Sequence, residues 1–269
     1  MISRPPHPAL RPFVSQLWSS ERGDAGSSSH AREHALPTGA MHLVFRFAAT
    51  PLRLYRSSSD TLGFTVGHAL IGGVRSTHYI RDTSTPSMSV GAMLRPGSAE
   101  LLFDATAEAL AERHTSLDCV WGTQAALIHE CLSEAPTPEA RLQCLERELL
   151  RRLPTVRGLH PAVAVALAHF DGVTKVETVV EYSGYSHRRF IAQFRRAVGM
   201  TPKAYSRIQR FQQTLALTQG RLAPDWSQIA VEMGFADQAH LIRDFKAFAG
   251  VTPEQYRLSK PLARNHLPR

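Results

Sequence analysis

Eight cationic side chains, Arg188, Arg189, Arg195, Arg196, Lys203, Arg207, Arg210 and Arg221, lie between residues 182 and 224 with no carboxylate among them. Arg243, Lys246, Arg257, Lys260, Arg264 and Arg269 follow, against five acids. A guanidinium presents its N–H donors in a planar fork that matches two phosphate oxygens or the O6 and N7 acceptors of guanine, and an ammonium serves phosphate as a point charge. The chemistry on offer is recognition of a polyanion. Residues 1–154 hold fifteen Lys and Arg against fifteen Asp and Glu, and residues 155–269 hold sixteen against eight, so the whole net charge of +8 belongs to the back part of the chain. A neutral front and a basic back suit a polyanion bound by the back alone. A cationic run by itself is as readily a solvated face, so the reading depends on the elements that hold these residues.

Those elements are written twice. FIAQFRRAVGMTP (190–202) returns as LIRDFKAFAGVTP (241–253). In the first copy Thr174 to Glu177 has the form of a capping box, Val176, Val179 and Val180 make an apolar face, and Gly184 stops the helix. Ser186 then caps a second helix with Phe190, Phe194 and Ala197 on one face, and Gly199 stops it. Thr201-Pro202 starts a long helix carrying Tyr205, Ile208, Phe211 and Leu215. The second copy repeats this with Asp225 to Gln228 as capping box, Ile229 and Met233 inward, Gly234, Asp237 as cap, Leu241, Phe245 and Phe248 inward, Gly250, and Thr252-Pro253. Gly184 to Gly234 sets a period of fifty residues. Each copy predicts a helix, a short glycine turn and a second helix, the unit whose second helix enters a DNA major groove. Two copies are too few for a solenoid.

With these features the back half resembles the DNA-binding domain of the AraC/XylS family of bacterial transcription regulators. GFADQAHLIRDFKAFAGVTPEQYR (234–257) and GYSHRRFIAQFRRAVGMTPKAY (184–205) carry the resemblance through their spacing, caps, aromatics and terminal Tyr. It implies a promoter-binding domain whose two recognition helices read adjacent major grooves, held apart by the helix near 202–219. RNA polymerase is a further partner that this implies.

Helical geometry at 100° per residue puts Arg188, Ala192 and Arg195 opposite the buried Phe190 and Phe194, with Arg189 and Arg196 on the flank. By the family pattern the base-facing positions are Arg188, Ile191 and Ala192 in the first unit and Gln238, Ala239, His240 and Arg243 in the second. Arg188 can offer guanine a bidentate pair and Ala192 can touch a thymine methyl; Arg243 is the leading base contact of the second unit, and Gln238 is alternatively a first-turn polar residue that meets phosphate or nothing. Arg189, Arg195, Arg196, Lys203 and Lys246 are assigned to phosphates. Backbone amides after Thr174, Thr201, Asp225 and Thr252 are expected to add phosphate contacts.

The front half predicts a different fold. MHLVFRF (41–47), PLRLYR (51–56), FTVGHALIGG (64–73) and MSVGAML (88–94) are short β-forming runs broken by turn residues, which suggests a small sheet or barrel. GDAGSSS (23–29) and RSSSDT (56–61) read as loops. After Gly97 the signals turn helical, with caps at Ser98, Thr123 and Thr137, and Leu142, Leu145, Leu149 and Leu153 in one stripe. The stripe could pair with a twin in a homodimer or pack on its own domain. The expected fold is α+β: a small β-barrel or cupin-like sheet with packed helices over residues 1–154, and an all-α domain with two helix-turn-helix units over 155–269, joined near 153–161. Leu36 to Gly39, Arg95 to Gly97 and Val120 to Gly122 resemble a cupin-like domain found ahead of this DNA-binding domain in part of the family. That implies a sensor or dimerisation role with a small-molecule effector.

Other chemistries fit less well. His30, Glu33, His34 and His42 could line a metal site if residues 30–34 were helical, which would make the chain a metal-dependent cupin-like enzyme with a DNA-binding tail. Leu-Pro-Thr-Gly directly after them argues against that helix, the HxH spacing of metal cupins is missing, and His68 and His78 add no support. No Ser/His/Asp or Cys/His order stands out, so no catalytic residue, cofactor or metal ligand is assigned. Cys119, Cys131 and Cys144 fit neither a disulfide framework nor a CxxC site and read as thiols in a reducing compartment. No apolar run is long enough to span a bilayer, and residues 1–13 have no apolar core of the secretory kind, so a cytoplasmic location is expected.

Overall fold

A computed structural model describes residues 1–22, 31–153, 159–170, 172, 174–218, 224–259, 261 and 263–268 of the chain. The predicted loop at 23–29, His30 and most of the joint near 153–161 lie outside these residues. The first half, joined by one strand from the end of the chain, builds two antiparallel sheets. One holds six strands in the order β1 (Ile2–Arg4), β2 (Val14–Arg22), β9 (Ser87–Leu94), β4 (Met41–Phe47), β7 (Ala69–Gly72) and β10 (His114–Ser116). The other holds five in the order β11 (His266–Pro268), β3 (Arg32–Ala35), β8 (Tyr79–Asp82), β5 (Leu52–Tyr55) and β6 (Phe64–Val66).

Period-two alternation in β4 shows how the layers divide. Met41, Leu43 and Phe45 turn to one face and join the main core with Leu17, Ile71, Val90 and Ala92. Val44 turns to the other face and meets Leu52, Leu54, Leu70, Val66 and Tyr79 between the sheets. The first face is covered by α1 (Ala99–Phe103), α2 (Ala107–Leu110), α3 (Asp118–Trp121), α4 (Gln124–Glu134) and α5 (Pro138–Arg151). Thr137 caps α5 by accepting from the Ala140 amide at 3.1 Å. Leu142, Leu145 and Leu149 of the stripe are buried against the chain's own sheet and helices, so it packs on its own domain and is not left open for a twin.

The α+β architecture with a helical back half is as expected, and the strands form two open sheets that do not close into a barrel. FTVGHALIGG divides at Gly67-His68 into β6 and β7, which belong to different sheets. The helical region after Gly97 is interrupted by β10, which returns to pair with β7. Ser98 stands at the α1 cap position, but its hydroxyl donates to the Phe13 and Arg95 carbonyls and caps nothing. Thr123 precedes α4 and makes no side-chain cap either. His34 lies in strand β3, where neighbouring side chains alternate between faces, so the helical histidine ladder weighed for metal binding does not form there.

The back half holds α6 (Pro161–His169), α7 (Val176–Ser183), α8 (His187–Val198), α9 (Pro202–Thr218), α10 (Trp226–Glu232), α11 (Gln238–Ala249) and α12 (Pro253–Leu258). Aromatic edges lock each unit to α9. Phe194 meets Phe170 at 5.3 Å and Tyr205 at 5.6 Å between ring centroids, and Phe211 meets Phe245 and Phe248 at 5.1 Å. Gly184, Gly199, Gly234 and Gly250 all take the left-handed conformation that follows the helix stops read from sequence.

Three caps form as read. Thr201 accepts from the Ala204 amide, Asp237 from the His240 amide, and Thr252 closes a full capping box with Gln255. Others differ. Helix α7 begins at Val176 with Lys175, one residue beyond the Thr174 read as its cap, in the cap position and without a side-chain cap of its own. Ser186 precedes α8 without a side-chain cap. Asp225 accepts from the Ser227 and Gln228 amides, but Gln228 donates forward to Glu232, so only half of that box exists. After α12 the chain crosses back, and β11 pairs with β3 through Leu267 opposite His34.

Candidate nucleic-acid interface

Helices α8 and α11 are the second helices of the two repeated units. On α8, Phe190, Phe194 and Val198 are buried, which turns Arg188, Arg189, Ala192, Arg195 and Arg196 to solvent. Ile191 is half-buried at the edge of that face. The Arg189 guanidinium lies over the Tyr185 ring at 4.6 Å, a contact that steadies it beside the turn. Arg195 and Arg196 are already engaged: Arg195 binds Glu108 on α2 at 2.7 Å, and Arg196 binds Glu100 on α1. That carboxylate holds the Arg196 guanidinium above its ordinary range. Lys203 is exposed on the first turn of α9.

On α11, Leu241, Phe245 and Phe248 are buried, and Gln238, Ala239, Arg243 and Lys246 are exposed. Gln238 is oriented by Ser227 of α10, whose hydroxyl donates to its Oε1 at 2.9 Å. His240 is half-buried, stands edge-on to Phe235, accepts the Ala236 amide on Nδ1 at 3.4 Å, and holds Nε2 3.9 Å from Asp244. The second unit therefore braces two of its assigned base-facing residues and leaves Arg243 open.

Arg207, counted by its charge among the polyanion-binding cations, is an internal strut. It donates from Nε and Nη2 to the two carboxylate oxygens of Asp244 at 3.2 and 2.7 Å, tying α9 to α11. Arg210 is similarly taken, donating to the Gly172 carbonyl and lying over Phe235. Of the amides expected to meet phosphate, those of Ala204, Ser227, Gln228 and Gln255 are bound by the caps, and Pro202 and Pro253 at the first helical positions have none. Arg221, Lys260 and Arg269 lie outside the described residues.

The front half grips the far end of both helices. Gly199, which ends α8, would bring a Cβ within 2.6 Å of Val74 and 2.8 Å of the Ala107 carbonyl, so no side chain fits there. Gly250, which ends α11, faces His78 and His34 in the same way. His34 and His78 stack at 4.2 Å and donate from Nδ1 to the Ala249 and Phe248 carbonyls at 3.0 and 3.2 Å, satisfying acceptors that a helix end leaves open. Gln212 of α9 donates to the Pro37 carbonyl at 2.7 Å. Nothing local in the sequence marked Glu100, Glu108, His34, His78 or Asp244 for these parts, because each partner lies more than 30 residues away along the chain.

Residues 179–259 match a family described as a helix-turn-helix domain, and residues 3–116 match one described only as a domain of unknown function. The F1 operon positive regulatory protein of Yersinia pestis is 33% identical over 84 residues, which span 31% of this chain and 27% of that protein. Among solved structures, ToxT of Vibrio cholerae aligns over 90% of this chain and 98% of its own at 9% identity and a TM-score of 0.45. The C-terminal domain of AraT, a response regulator of Geobacillus stearothermophilus, aligns over 38% of this chain and 84% of its own at 22% identity and a TM-score of 0.33.

Proposed function

We propose that this chain is a transcription regulator of the AraC/XylS type, which sets α8 and α11 into successive major grooves of one DNA duplex. The observation that carries the reading is the pairing of two alike helices, each stopped by a left-handed glycine, each packed against α9 through aromatics on one face, and each presenting an exposed arginine beside small alanines on the other. Arg188 and Ala192 on α8 and Arg243 on α11 are the residues we assign to base edges. Gln238, Ala239, His240 and Ile191 shape the same two faces. Arg189, Lys203 and Lys246 are assigned to phosphates, with Arg195 and Arg196 joining them when Glu108 and Glu100 let go.

Residues 155–269 then serve as the DNA-binding part and residues 1–154 as the sensing part, which takes a small-molecule effector. RNA polymerase and a second copy of the chain are the further partners this reading includes, in a cytoplasmic setting. No described helix is long and apolar enough to cross a membrane. The metal-enzyme alternative gains no support from a strand at His34.

The test is binding of the full chain to fragments of its own genomic neighbourhood, titrated against salt with nonspecific competitor. One fragment retained under competitor supports the proposal. Binding of equal strength to every fragment, lost together as salt rises, would reduce the protein to a nonspecific polyanion binder.

A further inference from the structure

Cys131 on α4 and Cys144 on α5 bring their Sγ atoms to 2.8 Å. Two thiols that differ in access make up this contact: Cys131 is half-buried, whereas Cys144 is 5% exposed. Arg147, one turn beyond Cys144 on α5 and largely exposed, holds Nη2 3.7 Å from the Cys144 sulfur. Cys119 on α3 is exposed and is not part of the contact.

We infer that Cys131 and Cys144 form a redox-responsive thiol pair, a modification site that closes to an intramolecular disulfide when it meets a small disulfide such as oxidised glutathione. A disulfide needs the sulfurs at about 2.0 Å, so the pair has less than ~1 Å to close. The Cys131 thiolate, reachable from solvent, attacks one sulfur of glutathione disulfide, breaking its S–S bond and releasing one glutathione thiolate. The Cys144 thiol then gives up its proton to solvent and attacks the Cys131 sulfur of the mixed disulfide. That step forms the Cys131–Cys144 bond and releases the second glutathione. The protein loses two protons and two electrons, and one glutathione disulfide becomes two glutathione molecules.

Burial and the bond to Cys131 push the Cys144 thiol up to about 11, which makes it a poor first nucleophile and leaves it the resolving role. The Arg147 guanidinium is placed to steady the thiolate of that second step. The closed pair would staple α4 to α5, the helices that cover the six-stranded sheet.

The full-length wild-type chain is incubated with glutathione disulfide, quenched in acid, denatured and alkylated, and its mass is read. A glutamate-specific digest cutting at Glu130 and Glu139 separates the three cysteines for peptide mapping. The expected product is lighter by two hydrogens before alkylation, has one alkylated thiol at Cys119, yields one linked peptide pair containing Cys131 and Cys144, and is reversed by dithiothreitol. Cys144→Ser should instead hold a stable glutathione adduct on Cys131. If that variant fails to fold, the wild-type peptide map decides alone. Three alkylated thiols, a stable glutathione adduct on wild-type Cys131, or cross-links through Cys119 alone would overturn the inference.

Discussion

Arg195 of α8 and Glu108 of α2 form an ion pair of 2.7 Å in which both side chains remain about half exposed. Arg196 and Glu100 repeat the arrangement one residue on. A duplex seated against α8 would meet two guanidiniums already matched to carboxylates, and the carboxylates themselves would face its phosphates. Exposed pairs of this kind contribute only about 0–1 kcal/mol each, so DNA can displace them, at some cost in affinity. We predict that Glu100→Gln with Glu108→Gln tightens DNA binding of the full chain by about 2–10-fold in low salt, with the gain shrinking as salt rises. An isotherm unchanged or weakened in low salt would show that these carboxylates do not compete with DNA.

Arg243 and Lys246 lie three residues apart on α11, both exposed, and are given different tasks. Arg243→Ala should cost about 1–3 kcal/mol on the preferred sequence and relax the preference at one or two base pairs. Lys246→Ala should weaken binding evenly across sequences and lower the salt slope by about one. Competition assays over a set of singly substituted operators separate the two. If both variants lose affinity evenly, Arg243 reads no base.

Asp244 is 8% exposed on the inward side of α11 and accepts both Arg207 bonds. Its value lies in aiming α11 from the strut helix α9. Asp244→Ala removes the acceptor and leaves the guanidinium without its partner, which should lower unfolding free energy by about 1–2 kcal/mol, less than for a fully buried pair because Arg207 is partly solvated. Footprints should then weaken over the half-site bound by α11 and hold over the half-site bound by α8. Equal weakening over both would mean that Asp244 supports the domain as a whole.

The back half was legible because its instructions are local. Thr201, Asp237 and Thr252 cap within three residues of themselves, the glycines end helices where they stand, and Phe190, Phe194, Leu241 and Phe245 mark their faces by spacing alone. Charge was a poorer guide. Arg207 and Arg195 look alike in sequence, yet one is tied to Asp244, 37 residues away, and the other to an acid of the front half. The short strands were the least legible. His114–Ser116 and His266–Pro268 are three residues each, too short for a period, and become strands only because β7 and β3 present open edges to them. The grip of His34 and His78 on α11 depends on the packing of distant elements and has no local signal.

His42 and His114 should make the fold acid-sensitive. Burial first, then the charges of His266 and Arg81, lower His42 to about 4. Burial first, then Arg75, His42 and Arg81, lower His114 to about 3. The bonds agree, because Arg75 can only donate, so His114 Nδ1 accepts at 2.9 Å and must be unprotonated. In the unfolded chain both rings bind protons near pH 6.5, while in the folded chain they do not until far lower. The unfolded state therefore holds more protons between these values, and stability is fully present above about pH 6.5 and lost as the pH falls toward 4 and then 3. Both residues keep some solvent exposure, which trims the effect. Urea unfolding at pH 7.5 and pH 4.5 should differ by about 2–4 kcal/mol, and His114→Gln, which keeps a neutral acceptor for Arg75, should remove about half of the difference. An acid limb of the same depth in His114→Gln would place the sensitivity elsewhere in the chain.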